Sequence, residues 1–228
     1  FSQQSQTTDS LKTLLNSAKA DTTKVILLNE LGLQYRFTDR DLAKKYAGEA
    51  LATAQKINYH NGMISNNILL GELEKDIGNY PQAIGFYEQS FAIAKQIDDK
   101  QGIANSYNNI GIIYKNQGNY PLALDNHLKS LRISEELGDK KGIANSYNNI
   151  GLIYMNQGNY PLALDNHLKS LRIKEEIGNQ AGIALSYGNI GNVFTKEKKY
   201  SEAKNYLFRA MGLAKEIGHK EYLKNAYL

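Results

Sequence analysis

The sequence predicts an all-α protein, a solenoid of antiparallel helix hairpins. Three observations predict it: an internal period of 40 residues, apolar positions stepping by three and four, and glycine and proline at recurring breaks. Residues 101–140 match 141–180 at 33 of 40 positions, and the same frame fits 61–100 and 181–220 more loosely. A fifth unit, 21–60, joins the pattern through Gly32, Ala43 and Ala50 if its turn, RFTDRD, is one residue shorter.

Each element follows from local chemistry. Leu11, Leu14, Leu15 and Ala18 recur at helical spacing, so residues 1–20 read as a polar stub and a short helix covering the open end of the stack. In the unit at 101, Ile103, Tyr107, Ile110 and Tyr114 share one helical face. Then comes NQGNYP, where Gly118 suits the positive φ just past a helix end and Pro121 suits a helix start, its missing N–H costing nothing. Leu122, Leu124, Leu128, Leu131 and Ile133 mark the second helix, which Gly138 closes.

Gly78 with Pro81 and Gly158 with Pro161 repeat this punctuation. In the last full unit Lys198 and Ser201 replace the pair, which predicts a looser turn relying on Tyr200 packing. Residues 221–228 read as the start of a truncated sixth hairpin with Tyr227 in its first aromatic slot, so the native chain is expected to continue. Eleven or twelve helices and no strand are expected, with hairpin breaks near 38, 79, 119, 159 and 199.

Composition narrows the function classes. The chain has 228 residues, 42% of them hydrophobic and 22% charged, and a net charge of +4 from 27 Lys and Arg against 23 Asp and Glu. That balance does not point to nucleic acid or an anionic membrane. With no cysteine there is no disulfide framework, zinc-thiolate site or thiol nucleophile. Apolar runs such as Val25 to Leu28 fall far short of the roughly 20 residues a membrane span needs. The opening FSQQSQTTDS suits a trimmed chain or the stub left after signal-peptide removal, and an exported or periplasmic location is favoured over a cytoplasmic one.

The residues resemble the tetratricopeptide repeat family in a 40-residue variant. Tyr107, Ile110, Gly111 and Tyr114 fill the first-helix pattern, as do Tyr147, Ile150, Gly151 and Tyr154; Gly118, Tyr120 and Ala123 fill the turn and second helix, as do Gly158, Tyr160 and Ala163. Asn67 and Glu74 depart from the two aromatic slots in the unit at 61, which predicts a less tightly packed first helix there. The resemblance implies a right-handed superhelix whose first helices line an inner groove that binds extended or helical peptides. The arrangement of an N-terminal helix, DTTKV and 40-residue units also resembles the extracytoplasmic sensory region of bacterial membrane-bound histidine kinases, cyclases and regulators.

In that register a stripe of asparagines falls mostly on the groove side. Asn is a mediocre helix former, and its amide both donates and accepts, which suits the backbone of an extended peptide. The expected floor comprises Asn105, Asn108, Asn109, Ile112, Lys115 and Asn116; Asn145, Asn148, Asn149, Leu152, Met155 and Asn156; and Leu185, Asn189, Asn192 and Lys196. An inter-repeat hydrogen-bond ladder is the competing account, and burial decides between them. On the groove reading Asn148→Ala changes stability little.

Other residue types read as structural. Ten of the 16 tyrosines, among them Tyr200 and Tyr227, occupy recurring core slots, which leaves no base-stacking platform. His127 and His167 are repeat equivalents, and equivalent helices about 8–10 Å apart cannot share one zinc at about 2.0–2.1 Å per ligand. GNIGNV at 188–193 lies inside a helix without the preceding strand a dinucleotide loop needs. The Glu pairs at 135–136 and 175–176 read as a solvated outer face.

No catalytic residue, metal ligand or cofactor is expected. The function expected is a scaffold for a protein or peptide ligand, the sensing or binding segment of a longer signalling protein, without nucleic acid or membrane contact. An RNA-reading helical repeat and a purely structural spacer are the alternatives. Weak self-association is expected through the last hairpin, around Leu207, Met211 and Leu213, which Tyr222, Leu223 and Tyr227 cover only in part.

Overall fold

The computed structural model describes the backbone of residues 2–218 and the side chains of residues 8–218. The expected sixth hairpin at 221–228, with Tyr222, Leu223 and Tyr227, lies outside the described residues. Eleven α-helices and no strand are present among the described residues. The chain divides into two compact units, Phe1–Ile113 and Tyr114–Leu228.

The first unit holds α1 (Ser2–Ser17), α2 (Thr22–Tyr35), α3 (Arg40–Lys56), α4 (His60–Asp76), α5 (Tyr80–Gln96) and most of α6 (Lys100–Asn116). Helix α3 shows why successive hairpins stack closely: Ala43, Ala47, Ala50 and Ala54 form a stripe of small side chains with no solvent exposure. Val25, Leu28 and Leu15 pack against one end of it and Leu69, Leu70 and Leu73 against the other. Further along, Gly71 gives way to the Tyr87 ring, which would lie 2.5 Å from a Cβ at that position.

The expected looseness of α4 is corrected by the structure. Asn67 and Glu74 are 1% and 3% exposed; both carboxylate oxygens of Glu74 and the amide NH2 of Asn67 are paired inside the packing, while Asn67 Oδ1 is buried without a partner. Asn67 Nδ2 donates to Met63 O at 2.9 Å, while Glu74 accepts from Lys44 Nζ at 2.6 Å and from Asn79 Nδ2 at 2.7 Å. The hydrogen bond from Lys44 holds the Glu74 carboxyl below its usual range, against the opposing effect of burial. A charged pair has taken the place of an aromatic side chain.

The second unit holds α7 (Tyr120–Leu137), α8 (Lys140–Asn156), α9 (Tyr160–Glu176), α10 (Gln180–Lys196) and α11 (Tyr200–Glu216). Each helix packs on its chain neighbours, and α10 also meets α8. Ile183, Tyr187 and Ile190 of α10 meet Leu171 of α9 and Ala210 of α11 in the core, and Ile150, Ile153 and Val193 are buried as well. Glu175, Tyr187 and Arg209 link α9, α10 and α11: the Tyr187 hydroxyl donates to Glu175 at 3.3 Å, and the Arg209 guanidinium lies 4.1 Å from the ring centroid.

From α3 onward the helices end alike. Gly158 takes φ +76°, and Asn159 N–H reaches back to Tyr154 O at 2.9 Å, satisfying a carbonyl the helix end would otherwise orphan. Lys198 adopts the same left-handed conformation at φ +61°, with Lys199 N–H on Phe194 O at 2.9 Å. The last turn is therefore no looser than the glycine turns, and Tyr200, 66% exposed, contributes no packing to it; both expectations are corrected. Since a side chain at positive φ is sterically strained, Lys198→Gly should raise stability by on the order of 1 kcal/mol in a urea titration.

Candidate functional site

Steps of three, four and seven put the candidate groove residues on one face of each first helix. On α6, Asn105 and Asn116 are exposed, and Asn108, Asn109, Ile112 and Lys115 are half-buried. On α8, Asn145 and Asn156 are exposed, Asn149, Leu152 and Met155 are half-buried, and Asn148 is buried. On α10, Leu185, Asn192 and Lys196 are exposed and Asn189 is buried.

Two of these residues are committed to each other. Asn189 Nδ2 donates to Asn148 Oδ1 at 2.8 Å, tying α10 to α8, with both residues 9% exposed. Asn29 Nδ2 donates to Asn66 Oδ1 at 3.0 Å in the same way between α2 and α4. Asn148→Ala would leave the Asn189 amide buried without its acceptor, at a cost of about 1–3 kcal/mol rather than the small change expected from an exposed residue. A double-mutant cycle on Asn148 and Asn189 should return a coupling of more than about 0.5 kcal/mol.

Between α8 and α10 lies a cavity of about 320 Å3 that Asn145 and Leu185 share with Lys174, Asn179 and Ala181. Neither Lys174 nor Asn179 was singled out from sequence. Lys174, near the end of α9, is 3% exposed, and its Nζ donates to Ser186 Oγ at 3.1 Å. Burial pushes its ammonium pKa down to about 8. The hydroxyl of Ser186 is no candidate nucleophile, because Ser186 is 0% exposed and no substrate atom reaches it. A signal for Lys174 exists in the internal comparison: the equivalent positions hold Ala54, Ala94, Ser134 and Ala214.

His127 and His167 are each 0% exposed, and no ring nitrogen of either makes a hydrogen bond. Burial first, then Lys115, lowers His127 to about 3; burial first, then Lys174, lowers His167 to about 4. Both are neutral packing groups at pH 7, and the His167 ring fills the space above Gly151. Among the described residues no three His, Cys, Asp or Glu side chains cluster as metal ligands, and no helix is long and apolar enough to cross a membrane.

The family model for the tetratricopeptide repeat matches residues 63–136, 102–154 and 142–216. The chain belongs to the tetratricopeptide repeat family, one of helical scaffolds rather than catalysts. A search of curated proteins gives no match. Among solved structures, BtubC (BKLC) from P. vanneervenii superposes with a TM-score of 0.73 at 20% identity, over 95% of this chain and 90% of that one. NprR in complex with its cognate peptide NprX gives 0.73 at 20% identity, over 92% of this chain and 61% of NprR. A Rap protein complexed with competence and sporulation factor gives 0.73 at 16% identity, over 96% of this chain and 67% of the other. At these identities the likeness is one of fold.

Proposed function

We propose that the chain is a non-catalytic scaffold that binds a peptide or an extended protein segment along the groove face of its first helices. The observation that carries this reading is the stripe on α8 and α10. There Asn145, Asn156 and Asn192 offer amides to solvent beside Leu152 and Leu185, the last 45% exposed. Amides that donate and accept can pair with a ligand's backbone, and neighbouring leucines give its side chains apolar surface. Two solved proteins of similar fold, NprR and Rap, are complexed with NprX and with competence and sporulation factor respectively, which supports a peptide-sized ligand.

In the finer reading the chain is the sensing segment of a longer signalling protein acting outside the cytoplasm, supported by the resemblance of its N-terminal helix and 40-residue units to bacterial extracytoplasmic sensors. Selection from a random peptide display library is the test. Selected peptides should bind the wild type and lose more than about tenfold in affinity on Leu152→Glu, with Leu128→Glu on exposed α7 neutral. Equal loss from both variants would remove the stripe as the site. Tight, salt-sensitive RNA binding without peptide binding would favour the RNA-reading alternative.

A further inference from the structure

Lys174 puts an amine where the equivalent positions of the other repeats, Ala54, Ala94, Ser134 and Ala214, put a small side chain. Its neighbour in space changes with it. In the preceding repeat a Cβ on Gly142 would meet Asp139 Oδ2 at 2.4 Å and Ser134 Oγ at 2.5 Å, whereas one on Gly182 would meet Asn179 Nδ2 at 2.7 Å and Lys174 Cδ at 2.9 Å. The amine therefore stands beside an amide at the place where an acid would have held it protonated. Lys174 is 3% exposed, and its Nζ donates to Ser186 Oγ at 3.1 Å with no carboxylate in a salt bridge to it among the described residues. By contrast, Arg36 bonds Glu72 and Asp76, and Lys44 bonds Glu74. A buried ammonium without a counter-ion is costly, which favours the neutral, nucleophilic amine.

The cavity of about 320 Å3 that Lys174 lines also holds Asn179 and Asn145. Asn179 Oδ1 caps α10 by accepting from Gly182 N–H at 2.9 Å, while its NH2 has no acceptor among the described residues. Asn145, which is exposed, makes no side-chain hydrogen bond among them. A reagent that uses the amine and both amides has to meet three conditions. It is small and uncharged, so that it reaches an enclosed Nζ; it removes the positive charge; and it leaves two acceptor oxygens attached to the nitrogen. An acyl group leaves one such oxygen and an imine leaves none. Carbon dioxide meets all three.

We propose that Lys174 is a site of reversible N-carboxylation, at which its amine combines with dissolved carbon dioxide and the amides of Asn179 and Asn145 hold the resulting carbamate. The neutral Nζ attacks the carbon of CO2. The N–C bond forms, the π pair of one C=O bond moves onto its oxygen, and Nζ loses one proton to water, so that the amine becomes –NH–COO−. Nothing is oxidised or reduced, and no peptide ligand is needed. The remaining N–H still donates to Ser186 Oγ, and the two oxygens accept from the two amides. Because Asn145 is exposed, the new negative charge lies on the side of the cavity that meets solvent, whereas the ammonium it replaces was enclosed. The wall between α8 and α10 thereby changes the sign of its charge with the level of carbon dioxide.

The test is 13C NMR of the whole chain, with its lysines labelled with 15N at Nζ, under 13CO2 at a constant pH of about 8. Burial pushes Lys174 down to about 8, so at this pH a solvated lysine with a pKa of about 10.4 holds roughly a hundredfold less free amine. A carbamate carbon split by a lysine 15N should appear, which the unlabelled α-amino group cannot give, and it should vanish when the gas is purged. Lys174→Arg keeps a cation and should lower the signal at least about tenfold. Asn179→Asp returns the acid of the preceding repeat, so it should fold normally while holding Lys174 protonated, and it should lower the signal by a similar factor. Trapping the carbamate by O-alkylation, followed by mass-spectrometric mapping of the wild type, should place it on Lys174. The absence of a split signal, a signal unchanged in either variant, or a trapped carbamate that maps to another lysine would overturn the site.

Discussion

Gly151→Ala is expected to destabilise the protein by about 1–3 kcal/mol, and Gly151→Leu by more, whereas Gly48→Ala and Gly85→Ala should each stabilise it by about 0.5–1 kcal/mol. The opposite signs follow from one geometric difference. A Cβ at Gly151 would lie 2.7 Å from His167 Cε1 and 2.8 Å from Nδ1, below any normal contact. The obstacle is a planar ring, itself fully buried, so it cannot swing aside as the tip of a lysine could. Either α8 and α9 separate or the imidazole leaves its rotamer. At Gly48 and Gly85 no atom lies within 4 Å of the added methyl, so only the gain in helix propensity remains. Urea titrations of the three alanine variants check this, and equal small effects would mean the hairpin is loosely packed at Gly151.

Acid is expected to destabilise the chain well before its carboxylates titrate. The folded-state pKa values of His127 and His167 lie below the usual 6.5, at about 3 and about 4. A group whose pKa is lower in the folded state favours protonation of the unfolded state. The contribution of these neutral histidines is therefore complete above pH 6.5 and is lost as pH falls from 6.5 toward 4. At pH 4.5 each would forfeit about 2–3 kcal/mol, together on the scale of a domain's whole stability.

Glu74, also below its usual range, loses its contribution to stability only as pH falls below about 4.5, so the two effects occupy different windows. Leucine holds the equivalent slot at Leu207, which makes His127→Leu with His167→Leu the natural control. Wild-type Tm should fall steeply between pH 6.5 and 4.5 and the double variant's should stay nearly level. Parallel profiles would show that the rings reach water.

The hairpins were legible because their determinants are local and repeated. Ile103, Tyr107, Ile110 and Tyr114 give the helical step, and Gly118 and Gly158 give the breaks. Lys198 shows where the reasoning stops: the flanking helices impose the left-handed turn on a residue that disfavours it.

Spacing placed the asparagines on one side of α8 and α10 but could not resolve that side into a rim and a seam. Residue 148 points at α10 while residue 145, one turn earlier, borders the cavity. Lys174 was hidden because it precedes two glutamates on a stretch that reads as solvated surface. Only packing of α9 against Ser186 on α10 reveals that the charge faces inward.

Hydrogen exchange on the chain with and without a selected peptide tests the central claim most directly. The account predicts that slowing on binding concentrates in α8 and α10, over residues 145–156 and 181–196, with α7 and the outer side of α9 unchanged. Slowing confined to the exposed leucines of the second helices, around Leu128 and Leu168, would place the ligand on the opposite face and contradict the account.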